Sequence, residues 1–223
     1  MSILYIVATP IGNLEDISLR ALRILKEVDL ILCEDTRRTQ KLLNYYQIKK
    51  KTLSYHQHSK LKRIKEIIDL LKKGKNLALV SDSGTPGVSD PGGKLIEKIV
   101  QILGNSVKVV PIPGPCAITC AASISGFFMD KFLFLGFPPK KKKRKKFFEE
   151  ISNSKYPVIF YESPYRILKT LNELKAENPD LEVVVAREMT KKFETIYRGK
   201  IDKVIEKIKN DKTKGEFVVI VKK

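Results

Sequence analysis

Short apolar runs that alternate with amphipathic stretches constrain this chain more than any other feature. The runs cover residues 3–8, 28–33, 77–80, 107–110, 132–135, 158–161, 183–186 and 217–221. Most are too short for helices and rich in Val, Ile and Leu, as strands buried on both faces are. Helical stripes lie between several of them. Ile17, Ala21, Ile24, Leu25 and Val28 follow one face, as do Leu61, Ile64, Ile68 and Leu71, and Leu95, Ile99 and Leu103. Asn13 with Asp16 resembles a capping box, and Asp90-Pro91 and Ser163-Pro164 each set a cap residue before a first-turn proline. Gly74 and Gly104 stand where helix C-terminal glycines belong. Strand alternating with helix predicts an α/β fold with crossover connections.

At 223 residues the chain is comfortable as two domains. The stiff segment Pro111-Ile112-Pro113-Gly114-Pro115 is the natural divide. We therefore expect an N-terminal α/β domain over 1–112 and a C-terminal α/β domain with a mixed sheet over 113–223. No apolar stretch reaches the roughly 18 residues of a membrane span, and Met1-Ser2-Ile3-Leu4-Tyr5 lacks the features of a signal peptide. Three cysteines, Cys33, Cys116 and Cys120, point to reduced thiols and a cytoplasmic location. Cys116 and Cys120 are spaced for one helix face but lack neighbours for a metal site, so no metal is expected.

Charge is concentrated. The net +18 comes from 43 basic and 25 acidic residues. Residues 47–75 hold ten basic and two acidic groups, and residues 140–146 are seven consecutive cations, so these blocks carry 15 of the 18. Such blocks suit a polyanion, because each phosphate contact releases counterions. Over 60–75 the lysines are interspersed with an apolar stripe, and solvated helix surface explains them equally well. The run at 140–146 repels itself and favours an open loop. Composition does not choose among RNA, DNA and an anionic membrane surface.

The unusual residues fall at strand ends. Thr9-Pro10-Ile11-Gly12-Asn13, Glu34-Asp35-Thr36-Arg37-Arg38, residues 81–87 (Ser-Asp-Ser-Gly-Thr-Pro-Gly), the Pro-Gly-Pro segment, Glu162-Ser163 and Arg187-Glu188 each follow a predicted strand. In open α/β sheets that edge binds ligands. Any strand-to-helix turn favours such residues, but the run over 81–87, opening a helix, is longer than a tight turn needs. Nucleotide motifs fail: Gly87, Gly92 and Lys94 imitate a phosphate loop with the spacing one residue off, and Leu95 replaces its hydroxyl. Glu34 and Asp35 suit acid–base work; equally, one could cap the next helix while the other pairs with an arginine. His56 and His58 point the same way if extended, and ribose or phosphate contact needs fewer partners than metal binding.

Taken together, Leu4-Tyr5-Ile6-Val7-Ala8-Thr9-Pro10-Ile11-Gly12-Asn13-Leu14, Glu34-Asp35-Thr36-Arg37, Val80-Ser81-Asp82-Ser83-Gly84-Thr85-Pro86, Pro113-Gly114-Pro115-Cys116-Ala117, Phe160-Tyr161-Glu162-Ser163, Ala186-Arg187-Glu188-Met189-Thr190-Lys191 and Glu194-Thr195 closely resemble the ribosomal RNA small-subunit methyltransferase I family of the tetrapyrrole methylase superfamily. The likeness runs from residue 3 to about 221. It implies two α/β domains with S-adenosylmethionine in a cleft between them, a homodimer, and methylation of a cytidine ribose 2′-hydroxyl in small-subunit ribosomal RNA or the assembled small subunit. By position it implies cofactor contacts from Pro10, Ile11, Gly12, Ser83, Gly84, Thr85, Val88, Cys116, Ala117, Tyr161 and Glu188, several through backbone. Arg37, Arg38, His56 and His58 go to the RNA side, and the cationic run adds Lys142, Lys143 and Arg144.

Transfer to a hydroxyl needs alignment and a proton acceptor. Glu34 or Asp35 is expected to take or orient that proton, with Arg37 on a phosphate. Two features depart from the family pattern. Its members commonly continue into a small helical domain after the strand that here ends at Val221, a grip for which residues 140–146 could compensate. The family often has asparagine where Ser59 stands. The competing readings are a tetrapyrrole or protein methyltransferase of the same superfamily, a non-catalytic RNA-binding assembly factor, and a DNA- or membrane-binding basic protein. The lysine blocks and the segments 34–37 and 187–191 argue against the first; the intact cofactor loops argue against the second.

Overall fold

A computed structural model describes residues 1–56, 61–211 and 213–223. The chain forms two compact units, Met1–Cys116 and Ala117–Lys223, so the divide falls four residues beyond the expected one. Pro111 and Ile112 belong to a strand rather than to a linker.

Unit 1 runs β1 (Ser2–Val7), α1 (Leu19–Glu27), β2 (Leu30–Cys33), α2 (Thr36–Tyr45), β3 (Thr52–Ser54), α3 (Leu61–Lys72), β4 (Leu77–Leu79), α4 (Gly93–Leu103) and β5 (Val107–Ile112). Its sheet has the order β3-β2-β4-β1-β5 with every pair parallel. Ala21, Ile24 and Leu25 of α1 and Leu43 of α2 pack with Val7, Ile31 and Ala78 on one face. Ile67, Ile68 and Leu71 of α3 and Leu95 and Ile99 of α4 pack with Leu4, Leu32 and Leu79 on the other. That split follows from right-handed crossovers: β1→β2→β3 steps one way along the sheet, β3→β4→β5 steps back, and the helices change face with the direction.

Unit 2 runs α5 (Ala117–Ile124), β6 (Leu133–Phe134), α6 (Arg144–Asn153), β7 (Val158–Glu162), α7 (Ile167–Glu177), β8 (Glu182–Arg187), β9 (Thr195–Lys200), α8 (Ile201–Lys209) and β10 (Phe217–Lys222). The sheet is mixed, β6-β7-β10-β8-β9, with β6 and β7 parallel and the other pairs antiparallel. Helices α6, α7 and α8 bury Phe148, Leu171 and Val204 against Phe160, Val185 and Val219.

Every expected apolar run contains a strand. Two strands lack that signature: β3 is three residues long, and β9 carries Arg198 and Lys200. Both are edge strands, where charge and brevity guard against unwanted pairing. The helix starts differ from expectation. Asn13 caps only a 3-10 turn over Leu14–Asp16, and Ser18 Oγ, accepting from the Ala21 amide at 3.1 Å, caps α1. Pro91 and Pro164 lie in turns before α4 and α7. Gly92, at φ 151°, precedes α4 because a Cβ there would sit 3.2 Å from both Gly87 N and Leu79 Cδ2.

Candidate active site

In unit 1 the connections leaving β1 and β4 run in opposite directions along the sheet, and β1 and β4 are neighbours. Such a switch point leaves a crevice beyond the strand ends. The two loops there are sewn together. Thr9 N donates to Gly84 O at 2.9 Å and Gly84 N to Thr9 O at 3.0 Å. Thr9 Oγ1 donates to Ser81 O at 3.2 Å, and Ser81 Oγ to Gly84 O at 3.1 Å. Thr85 Oγ1 reaches Pro115 O at 3.1 Å, which ties in the loop after β5. Backbone packing is close: a Cβ on Gly114 would lie 3.0 Å from Ala8 Cβ, and one on Gly84 3.3 Å from Ile11 Cγ2. The loops that carry Pro10, Ile11 and Gly12, then Ser83, Gly84, Thr85 and Val88, then Cys116, thus leave the same edge of the unit 1 sheet. No Lys or Arg occurs in 9–12, 81–88 or 113–117, although the chain carries 43. A loop set free of cations fits a cationic sulfonium ligand that must not be repelled.

An acidic group lies at the same edge. The Asp35 amide donates to Asp82 Oδ1 at 3.2 Å, and Arg38 pairs with Asp82 Oδ2 at 3.4 Å. Glu34 is half-buried and its Oε1 is shielded from solvent with no hydrogen-bond partner. Burial, and then the Asp82 charge, pushes the Glu34 carboxyl above its ordinary value; a hydrogen bond from the Asp82 backbone, then His56 and Arg38, pull the other way without cancelling the rise. Burial pushes Asp90 up to about 6, with Glu34 and Asp82 adding to it and a hydrogen bond with Ser81 opposing. Asp90 is therefore a member of this cluster and not the helix cap its position before Pro91 suggested. Its distance in the chain from Glu34, and the proline that follows it, hid it.

Asp35 has a different part. It is the N-cap of α2, with Oδ1 accepting from Arg37 N at 2.8 Å, while the Arg37 guanidinium binds both its oxygens at 3.1 and 2.8 Å. That pairing holds Asp35 well below the usual carboxylate range. Both its oxygens being engaged by Arg37, it is less suited than Glu34 to accept a proton. The alternative of a cap paired with an arginine holds for Asp35. Arg37 and Arg38 occupy the first turn of α2 with exposed side chains. His56 is exposed after β3; His58, like Ser59, lies outside the described residues.

In unit 2 the ends of β7 and β8 lie at one edge, beside the start of β10. Tyr161 packs its ring 5.1 Å from Phe134 and 5.4 Å from Phe137, centre to centre. Glu188 sits at φ 52°, with Oε1 accepting from Glu216 N at 2.9 Å and Lys191 Nζ at 3.0 Å. Burial pushes its carboxyl up, but the Glu216 amide and Lys191 outweigh this and hold it below its ordinary value. Gly215 makes room for it, since a Cβ there would stand 2.5 Å from Glu188 Cγ. The side chain being committed, a ligand would meet Glu188 mainly through backbone.

Of the cationic run, Lys142 and Lys143 are exposed, but Arg144 is 8% exposed. Its guanidinium binds Glu173 Oε2 at 2.7 Å, Thr170 Oγ1 at 2.7 Å and Pro139 O at 3.0 Å. Thr170 Oγ1 in turn donates to the fully buried Glu162 at 2.5 Å. The Arg144 guanidinium is thus engaged within the fold, and one correction follows: residues 144–146 open α6 instead of extending a loop. Cations at a helix N-terminus oppose its dipole; burying one against Glu173 and Thr170 offsets the cost.

Residues 3–205 match the family of tetrapyrrole (corrin/porphyrin) methylases. A Thermotoga maritima protein named ribosomal RNA small subunit methyltransferase I is 47% identical over 99% of this chain and 98% of its own length. The protein of that name from Bacillus subtilis is 44% identical over 99% of this chain and 75% of its own. Among solved structures, diphthine synthase aligns at TM-score 0.75 and 15% identity over 99% of this chain and 89% of that one. Cobalt precorrin-4 methyltransferase aligns at TM-score 0.69 and 17% identity over 99% and 94%. At those identities the two structures establish the fold alone.

Proposed function

Because the chain belongs to the ribosomal RNA small subunit methyltransferase I family of the tetrapyrrole methylases, which use S-adenosylmethionine, we propose that it methylates the 2′-hydroxyl of a cytidine ribose in small-subunit ribosomal RNA, as a cytoplasmic homodimer. The observation that carries a hydroxyl acceptor is Glu34: a shielded carboxylate oxygen without a partner, in a carboxyl whose proton affinity is raised. A ribose hydroxyl is a weak nucleophile until its proton leaves, and a base with raised pKa takes that proton more readily.

When bound, S-adenosylmethionine supplies an electrophilic methyl group on a sulfonium. The loops joined at Thr9 and Gly84, with Pro10, Ile11, Gly12, Ser83, Thr85, Val88 and Cys116, would hold it from unit 1; Ala117, Tyr161 and Glu188 are the contacts proposed from unit 2. Glu34 Oε1 accepts the hydroxyl proton. Asp82 keeps Asp35 N and Arg38 in place, and Asp35 fixes the start of α2. Arg37, Arg38 and His56 hold phosphate or ribose, and Lys142 and Lys143 add charge for the backbone. Alignment supplies much of the rate of an in-line displacement.

The test is to incubate the protein with radiolabelled S-adenosylmethionine and small ribosomal subunits lacking the modification, then map the label. Label on a single cytidine ribose is the expected result. Cofactor binding without label in the RNA would move the acceptor to another molecule.

A further inference from the structure

Aromatic and cationic side chains share a groove at the edge of the unit 2 sheet where β6 and β7 begin and β10 ends, opposite the edge that carries Glu162 and Glu188. Phe128 is 87% exposed and Tyr156 44%. Lys131, Lys155 and Lys222 line the same groove, with Asp130 beside them. The Lys131 ammonium stands 5.9 Å from the centre of the Tyr156 ring. The walls are fixed by hydrogen bonds: Ser154 Oγ donates to Tyr156 O at 2.7 Å and accepts from Tyr156 N at 3.1 Å. On the Phe128 side, Ser125 Oγ donates to Ala122 O at 2.8 Å and accepts from Phe127 N at 3.1 Å.

We propose that this groove binds a single-stranded segment of the RNA substrate at a distance from the reacting nucleotide; the proposal rests on the ribosomal RNA reading. Single strands are held by bases stacked on aromatic rings and by cations tracking the phosphates, and the groove offers both. A duplex has no unstacked base to give Phe128 or Tyr156. The five residues of β7 span roughly 17 Å, so the RNA held here flanks whatever lies at the edge carrying Glu188. A second copy of the chain could also cover Phe128. A two-fold contact would set the three lysines against their own copies, and charge favours the polyanion.

The test titrates the full chain, with S-adenosylmethionine, against labelled single-stranded and duplex fragments of small-subunit ribosomal RNA at several salt concentrations. Light scattering follows the oligomeric state. Replacing both rings (Phe128→Ala with Tyr156→Ala) is expected to weaken single-strand binding on the order of tenfold or more, with cofactor affinity unchanged. Tyr156→Phe keeps the stacking surface and binds as wild type. Lys131→Ala with Lys155→Ala flattens the log–log salt dependence by about 0.7 per lysine engaged. Both rings are exposed, so the variants keep their core, which the melting temperature verifies. Wild-type affinity in both double variants overturns the proposal. So does a change in oligomeric state with RNA binding intact, which assigns the groove to a protein contact. A wild-type protein that bound neither RNA would remove the ribosomal RNA reading itself, a result distinct from either.

Discussion

Thr9 and Gly84 exchange two backbone hydrogen bonds, at 2.9 and 3.0 Å, and so join the loops that follow the adjacent parallel strands β1 and β4. Gly84 makes the exchange at φ 80°, a conformation costing an L side chain about 1–2 kcal/mol, and a Cβ would press Ile11 Cγ2 at 3.3 Å. Gly84→Ala is therefore expected to lower stability by about that amount and to weaken S-adenosylmethionine binding by a larger factor than RNA binding. Calorimetric titration with the cofactor, beside thermal unfolding, measures both. Unchanged cofactor affinity would remove this loop from the cofactor site.

Glu34 and Asp35 adjoin in sequence and separate in chemistry. Glu34→Gln should lower kcat by roughly 100-fold or more with little change in cofactor affinity. Asp35→Ala should lower the melting temperature through loss of the α2 cap and leave kcat close to wild type. The wild-type rate should fall as pH drops through a Glu34 pKa above its ordinary 4.5, because the protonated carboxyl accepts nothing. If the two substitutions affected kcat equally, Glu34 would not be the base.

Much of this site was legible in the chain. Thr9–Asn13, Glu34–Arg38 and residues 81–87 stood out because each polar cluster closes an apolar run, and in a parallel sheet all run ends meet at one edge. The division of labour between Glu34 and Asp35 was not legible: local sequence cannot say which carboxylate meets the Arg37 guanidinium and which meets a buried wall. Asp90 was misread because Asp-Pro is a frequent helix start, and its partners Ser81, Asp82 and Glu34 come near only once β2 and β4 pair. Strand β9 was missed because an edge strand can be polar. The burial of Arg144 was not legible because a run of seven cations looks uniform until Glu173 and Thr170, about 30 residues on, select one of them.

Asp90 gives the pH dependence of stability a definite sign. Burial, Glu34 and Asp82 raise its folded pKa from 3.8 to about 6. Between those values the folded state holds a proton that the unfolded chain has lost, so stability declines as pH rises. Below about pH 4 both states are protonated and the cost disappears. Asp90→Asn is expected to gain stability over wild type progressively from pH 4 to 6 and to keep a constant advantage above. Urea unfolding of both proteins across that range measures the contribution of Asp90 together with its coupling to Glu34 and Asp82, because groups that do not interact with Asp90 cancel in the difference. Parallel curves would show that Asp90 ionises freely.

Lys143 and Arg144 are neighbours of like charge whose removal should act with opposite signs. Arg144 holds Glu173, Thr170 and Pro139 O, and through Thr170 it supports the buried Glu162. Arg144→Ala leaves those groups short of a partner. Breaking a buried pair costs about 3–5 kcal/mol, and the low end applies because the Glu173 side chain is 34% exposed. A melting temperature lower by about 6–12 °C follows. Lys143 is exposed, has no acceptor with which to cap the helix amides and sits at φ 66°. Lys143→Gly relieves a left-handed side chain, which should add up to about 1 kcal/mol, while it removes one charge from the RNA face and lowers the salt slope by about 0.7. Thermal unfolding and RNA titration at three salt concentrations, run on both variants, separate the two parts. A stable Arg144→Ala protein with a reduced salt slope would return Arg144 to the RNA face.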